Sequence, residues 1–288
     1  MRHFIIAARP KTLLAGVIPP TVSYIYFISR TGKSEILFYL LCLFGALFIQ
    51  LATNFFNDVI DHEKGADLKR VGPLRVSAAG LVSLKQVRIW AYGSVIAAAF
   101  CGLPLILRGG WPFLVLGLVS LYLTYGYTGG KVSLAYRGLG ELFVFLFFGL
   151  FSVIGSYYLY ALEINLEVVL LASMMGSLST TFIGINNLRD RETDSEVGKK
   201  TLATRTKYGT YQGFIIFTVF LPYLLLVPLL QSVQGFSVLF AALPAAKLVS
   251  ITLKYKGSDL NEGLKFSGIH LIVFSALICL NFIYGYLL

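Results

Sequence analysis

Residues 36–67 read ILFYLLCLFGALFIQLATNFFNDVIDHEKGAD. The first 21 of them, Ile36–Phe56, carry no charged side chain. That is the roughly 20 residues an α-helix needs to cross a hydrocarbon core about 30 Å thick. The next eleven residues contain four carboxylates, Asp58, Asp61, Glu63 and Asp67. The stretch therefore predicts a membrane helix that ends in a dense acidic cluster.

The whole chain follows the first half of that pattern. Of its 288 residues, 57% are hydrophobic and 13% charged, where a soluble domain carries about 25% charged. Mean hydropathy is +0.76. This composition excludes a disordered chain, a secreted disulfide scaffold and an ordinary cytosolic enzyme. Apolar runs recur at Thr12–Ser29, Ile36–Phe56, Val87–Leu107, Trp111–Tyr127, Leu139–Leu162, Leu166–Asn187, Tyr211–Leu230, Phe236–Leu253 and Ile269–Leu288. They predict an all-α polytopic membrane protein of nine helices. Long continuous runs do not suit the short alternating strands of a β-barrel. Met1-Arg2-His3-Phe4 leads into a run too long for a signal peptide, so the first run reads as a retained span. Cys42, Cys101 and Cys279 all lie in apolar runs, with no CxxC or His–Cys grouping to suggest a disulfide or zinc.

The net charge of +10 comes from 24 Lys and Arg against 14 Asp and Glu. With the N-terminus inside, only Arg30, Lys33 and Arg108 fall in outside segments. The bias predicts a cytoplasmic N-terminus, an outside C-terminus and an odd number of spans. The excess charge is thereby explained by membrane orientation, and no nucleic acid partner is needed.

A second acidic cluster, Asn186-Asn187-Leu188-Arg189-Asp190-Arg191-Glu192-Thr193-Asp194-Ser195-Glu196, closes the sixth run. On a helix, Asn57 and Asp61 share a face, as do Asn186, Asp190 and Asp194. Both clusters sit at helix C-termini, where the macrodipole is already negative. A divalent cation resolves that conflict, and carboxylate and amide oxygens suit Mg²⁺ better than zinc or copper. For either cluster alone, a solvated acidic loop neutralised by neighbouring Lys and Arg is the simpler account. Two clusters with one Asn-x-x-x-Asp pattern, four helices apart on the same side, favour a site. The spacing predicts a single domain over 1–288, built from two approximate four-helix repeats plus a ninth helix. Lys64, Lys69, Arg70 and Arg75 follow the first cluster, Lys199, Lys200 and Arg205 the second, and Lys131 and Arg137 lie between the fourth and fifth runs. Acidic clusters with basic neighbours suit a diphosphate. No glycine-rich phosphate loop occurs, which points to a diphosphate with a long apolar tail drawn from the lipid and away from a nucleotide. Elsewhere, His62 reads as a loop histidine and Lys247 as a lysine that snorkels to the interface. Tyr157-Tyr158 and Phe147-Phe148 read as lipid-facing or packing residues.

These segments, with Ala8-Arg9-Pro10-Lys11-Thr12-Leu13, Val71-Gly72-Pro73-Leu74-Arg75, Tyr127-Thr128-Gly129-Gly130, Tyr136-Arg137-Gly138-Leu139-Gly140-Glu141 and Gly198-Lys199-Lys200-Thr201-Leu202, resemble the UbiA superfamily of intramembrane aromatic prenyltransferases. The resemblance covers nearly the whole chain and is nearest to the branch that prenylates 1,4-dihydroxy-2-naphthoate in menaquinone biosynthesis. One departure stands out: where many members carry a third Asp of the first motif, this chain has Gly65, and its next carboxylate is Asp67.

The resemblance implies nine helices around a central cavity, in a bacterial plasma membrane, with the active site on the cytoplasmic side. It implies Asp61, Asp190 and Asp194 as catalytic. It implies Asn57, Asp58, Asp61, Asp67, Asp190 and Asp194 as ligands of Mg²⁺, or Mn²⁺ in its place. Asn57, Asn187, Lys64, Arg75, Lys131 and Arg137 would bind the diphosphate. The implied partners are a polyprenyl diphosphate, dihydroxynaphthoate and membrane lipid. Within the enzyme class the alternative acceptor is 4-hydroxybenzoate. Outside it, an ion-coupled transporter also uses repeats and acidic pairs, but places them near mid-membrane.

Overall fold

The computed structural model describes residues 2–65, 74–130, 133–229 and 236–287. A short helix α1 (Arg2–Ala8) leads into α2 (Pro10–Thr31), α3 (Ile36–Glu63), α4 (Leu84–Gly109) and α5 (Trp111–Gly126). After the connection to residue 139 come α6 (Gly140–Ala161) and α7 (Leu166–Arg189). Two short helices, α8 (Arg191–Glu196) and α9 (Leu202–Arg205), precede α10 (Tyr208–Leu226), α11 (Ala242–Lys254) and α12 (Asn261–Leu287).

Among the described residues eight helices are long and apolar enough to cross a membrane, and α5 is a shorter apolar helix of 16 residues. At 1.5 Å per residue α5 spans about 24 Å. The nine expected runs are therefore all helices, and one of them is short. Local chemistry sets their ends. Pro10 occupies the first turn of α2, where its missing N–H costs nothing. Ser83 caps α4 by accepting from the Gln86 N–H, and Asn165 caps α7 by accepting from the Val168 N–H.

Packing divides into three cores. One sits under the first acidic cluster and joins α1, α3 and α4 through Ala7, Phe55, Val59 and Val87. Another sits under the second and joins α7, α10, α11 and α12 through Ile185, Leu188, Ile215 and Leu248. The third ties α2, α6, α7 and α12 together at the opposite end, through Phe27, Tyr157, Met174 and Phe274. At that far end Arg108 pairs with Glu35 at 3.7 Å and donates to the Leu159 carbonyl. Tyr157 is fully buried in this core, and Tyr158 stacks on Phe113 at 5.8 Å. Lys247 is exposed and lies 6.0 Å over the Phe266 ring.

The middle of α6, Phe145–Ile154, is π-helical. Here α6 crosses α7 with no room between the backbones. A Cβ on Gly149 would lie 2.5 Å from the Gly176 Cα, and one on Gly176 would lie 2.8 Å from the Phe145 carbonyl oxygen. Close crossings of this kind rely on small residues. Phe147 and Phe148, within this π-helical stretch, line a cavity. This corrects the expectation that the pair faces lipid or merely packs.

Gly149→Val and Gly176→Val should each destabilise the protein by about 1–3 kcal/mol or more, the cost of overpacking a close contact. Thermal unfolding in detergent measures it. Wild-type stability of both variants would contradict the described crossing.

Candidate active site

The last turns of α3 place Gln50, Asn54, Asn57, Asp58 and Asp61 along adjoining stripes of one helix. Asn54 is buried, and its amide donates to the Ala8 carbonyl at 2.8 Å and to Thr12 Oγ1 at 2.9 Å. It pins the corner between α1 and α2. At that corner Arg9 adopts φ 52°, a left-handed conformation that a non-glycine residue holds only where surroundings enforce it. Arg9 faces the cavity.

Asn57 and Asp61 also line that cavity. Asp61 is 5% exposed. Its Oδ2 meets the Arg75 guanidinium at 2.7 Å, and its Oδ1 accepts from the Tyr136 hydroxyl at 3.1 Å. Arg75 also donates to the Asn57 carbonyl at 2.6 Å, and the Thr128 hydroxyl donates to Asn57 Oδ1. Asp58 differs from the expectation of a metal ligand. It is fully buried, and its two oxygens accept from the backbone N–H groups of Val76 and Ser77 at 3.3 and 3.2 Å. It holds the 74–80 turn that delivers Arg75, and it is not among the residues that line the cavity.

The second cluster is bent. α7 ends at Arg189, and Asp190 (φ −88°, ψ 4°) joins it to α8. The N–H of Asp190 still donates to the Asn186 carbonyl, and that of Asp194 to the Asp190 carbonyl. The four-residue step therefore survives the bend. Arg189, its side chain fully buried, grips both Asp190 oxygens at 2.7 and 2.6 Å and also donates to the Asn186 and Asn261 side chains. Asn186 and Asn187 line the cavity. Asp194 is 7% exposed; its Oδ1 meets Lys199 at 3.2 Å, and its Oδ2 is buried with no hydrogen-bond partner. Burial and the nearby Asp190 charge push the Asp194 carboxyl above its ordinary value, against the pull of Lys199.

The loop over residues 133–139 joins the two clusters. Tyr136 reaches Asp61 through its hydroxyl, carries Lys64 at 3.9 Å and Lys199 at 5.5 Å over its ring, and accepts from the Lys200 N–H through its carbonyl. Gly138, at φ +75°, lets this loop approach, since a Cβ there would lie 3.0 Å from the Lys200 carbonyl oxygen. Lys64 is exposed and donates to the Thr128 carbonyl; partial desolvation of its ammonium lowers its proton affinity, against the pull of the Asp61 charge. Burial and the Asp61 charge raise that of the Tyr136 phenol. Arg137 is exposed. His62 is exposed, as expected for a loop-end histidine. Asp67 and Lys131 lie outside the described residues.

The cavity measures about 570 Å³. Arg9, Asn57, Asp61, Arg75, Asn187 and Lys199 gather polar groups into it, and both Arg9 and Lys199 act on the Asp61 charge. Phe113, Phe143, Phe147, Phe148, Phe151 and Leu159 supply apolar wall. Small residues on α2 and α3, among them Gly16, Gly45 and Ala46, leave the space open. Cations, hydrogen-bond donors and hard oxygen donors thus share one cavity with aromatic surface. That set can bind a charged diphosphate and enclose its apolar tail.

Residues 17–283 match the model of the UbiA prenyltransferase family. The chain belongs to the UbiA prenyltransferase family. Among its relatives, a 1,4-dihydroxy-2-naphthoate octaprenyltransferase of Haemophilus influenzae is 36% identical over 224 residues, 74% of this chain and 71% of that protein. The Mycobacterium leprae protein of the same name is 30% identical over 283 residues, 95% of this chain and 93% of that one. A solved UbiA homologue from Archaeoglobus fulgidus, bound to DMAPP and Mg²⁺, superposes with a TM-score of 0.62 at 13% identity, covering 96% of this chain and 98% of that one. Its likeness shows the fold. The chain is accordingly an integral membrane prenyltransferase.

Sequence reasoning gave no role to Arg9, Tyr136 or Thr128, and counted Lys199 only as one of several basic residues. The signal was present for Arg9, an Arg-Pro pair at the mouth of the first span. Tyr136 had none beyond its place in a recurrent motif.

Tyr136→Phe keeps the ring under Lys64 but loses the hydroxyl to Asp61, a hydrogen bond worth about 1 kcal/mol or somewhat more to a charged group. Turnover should fall by roughly fivefold to tenfold. Tyr136→Ala loses the lysine contacts as well and should fall further. Wild-type turnover in Tyr136→Ala would contradict the bridging role of this loop.

Proposed function

We propose that the protein transfers a polyprenyl group from a prenyl diphosphate to 1,4-dihydroxy-2-naphthoate, releasing pyrophosphate and CO₂ and giving demethylmenaquinol for menaquinone synthesis. The observation that carries the reading is the single cavity in which Asp61 of one acidic cluster and Asn187 of the other meet, with Lys199, beside an aromatic wall. The names of the naphthoate relatives supply the acceptor.

The donor set supports a divalent cation, Mg²⁺ or Mn²⁺. Asp194 Oδ2 is a buried carboxylate oxygen with no hydrogen-bond partner; Asn57, Asp61 and Asn187 add hard oxygen donors along the cavity, and Asp190 and Asp194 follow Asn187 in sequence without lining the cavity themselves. Asn57, Asp61, Asp190 and Asp194 would hold the metal, with Asp67 a further candidate and Asp58 assigned here to the 74–80 turn. The bound metal would supply charge neutralisation to the diphosphate. Lys64, Arg75, Lys199, Lys131 and Arg137 would hold the diphosphate oxygens, and Asp61, Asp190 and Asp194 carry the site's catalytic electrostatics.

The chemistry then needs little beyond position and exclusion of water. The carbon–oxygen bond to the diphosphate breaks with its electron pair on pyrophosphate, leaving an allylic cation. Phe143, Phe147 and Phe148 keep water from it and offer ring faces to the positive charge. The electron-rich naphthoate ring forms the new carbon–carbon bond. The bonding pair of the carboxylate stays on the ring as CO₂ departs. The prenyl group has then replaced the carboxylate.

We infer the remaining organisation on the same grounds. The two acidic clusters rest on separate cores of α1, α3 and α4 and of α7, α10, α11 and α12, which supports two four-helix repeats. The distribution of Lys and Arg supports a cytoplasmic N-terminus and site, in a bacterial plasma membrane. The clusters lie at helix ends, away from mid-span, which disfavours an ion-coupled transporter.

Purified protein in nanodiscs, given geranyl or longer prenyl diphosphates with dihydroxynaphthoate or 4-hydroxybenzoate, tests the acceptor. Naphthoate product should exceed benzoate product by a large factor, and removal of divalent metal should abolish both. Equal rates, or a preference for the monocyclic acid, would overturn the acceptor. Full turnover after verified metal removal would overturn the metal.

A further inference from the structure

Glu141 opens α6 and is 3% exposed. Burial of a carboxyl at the start of a membrane span is costly and seldom retained without a function. Among the described residues its partners are not cations. Its Oε1 accepts from Asn187 Nδ2 at 2.8 Å and from the Tyr211 hydroxyl. Its Oε2 is buried and has no hydrogen-bond partner. Glu141, Asn187 and Tyr211 belong to α6, α7 and α10, so one carboxyl fixes three spans against each other.

The chemistry of that contact decides how Asn187 sits. A carboxylate oxygen accepts, so the amide facing it must present its Nδ2 and not its Oδ1. The Asn187 Oδ1 is thereby left for the cavity that this residue lines. Asn187 stands three residues before Asp190 and next to Asn186, and lines the same cavity as Asp61. An amide that donates to a carboxylate also carries more negative charge on its oxygen.

We propose that Glu141 is a positioning residue: it orients the Asn187 amide so that its oxygen faces the divalent cation. The inference rests on the reading of the site given above. It follows the general pattern in which a group behind a ligand fixes that ligand's orientation, and its loss costs roughly 10–100-fold in metal affinity.

The test compares Glu141→Leu, Asn187→Asp and the double variant Glu141→Gln/Asn187→Asp in nanodiscs. Mn²⁺ binding is followed by electron paramagnetic resonance in the presence of geranyl thiolodiphosphate, beside kcat, KM and thermal unfolding. Glu141→Leu should weaken Mn²⁺ binding by about tenfold or more and lower kcat, with KM for the aromatic acceptor unchanged. Asn187→Asp sets two carboxyls against each other and should weaken Mn²⁺ binding similarly. In the double variant the amide of residue 141 donates back, one carboxylate oxygen of residue 187 again faces the cavity, and Mn²⁺ binding should recover. A purely structural Glu141 gives a different result: lower unfolding temperature, but wild-type Mn²⁺ binding in the folded fraction. That outcome, or failure of the double variant to bind better than Asn187→Asp, overturns the proposal. If Glu141→Leu does not insert, the second comparison alone decides. Wild-type protein that binds Mn²⁺ as expected but does not prenylate naphthoate sinks the assigned acceptor and leaves this inference standing.

Discussion

A charge in a membrane protein must find a partner, and the Asp61 carboxylate is where this constraint shapes the fold. It is almost fully buried at the end of a 28-residue helix, where the helix dipole adds to its negative field. Arg75, Tyr136, Arg9 and Lys199 answer it from four other parts of the chain. Each of those partners is itself held in place. Asp58 organises the turn that carries Arg75, Asn54 holds the corner that carries Arg9, and Gly138 lets the Tyr136 loop approach Lys200. The first acidic cluster is thus tied to the second through residues that neither cluster contains.

The apolar part of the molecule serves the same end. Two cores stand beneath the two clusters and a third closes the far end, leaving the cavity between them. The Gly149–Gly176 crossing brings α6 close to α7, and Phe147 and Phe148 of the π-helical stretch line the cavity. Charge at one end and aromatic surface along the walls give an elongated substrate of mixed polarity a place to lie. Glu141 completes the arrangement from behind, joining α6, α7 and α10 at the level of the second cluster.

The spans were legible because an uncharged run of about 20 residues has few other places to go. The two clusters were legible because carboxylates are rare in this chain and bunch at two equivalent helix ends. What sequence spacing could not show was where each oxygen points. Asp58 shares a helix end with Asp61, yet its partners are backbone N–H groups 18 and 19 residues away. Asp190 keeps its four-residue step from Asn186 but is gripped by Arg189 across a bend. Phe147 and Phe148 read as lipid-facing or packing residues, yet both line the cavity from a π-helical stretch. Glu141 was visible only as part of a motif segment, because its partners come from two other spans. Pattern reading finds periodic features and charge clusters; it does not find single long-range hydrogen bonds.

The central claim is that the two acidic clusters form one site. Turnover of Asp61→Ala, Asp190→Ala and the double variant, each confirmed as inserted and monodisperse, tests it most directly. If both clusters act on one diphosphate, each single variant should lose about 10²-fold or more, as when a charge-stabilising group in an active site is removed. The double variant should then be little worse than either single one, because residues that act as a unit are strongly non-additive. Retention of more than about a tenth of wild-type turnover by either single variant, well short of the loss expected for such a group, would contradict the account.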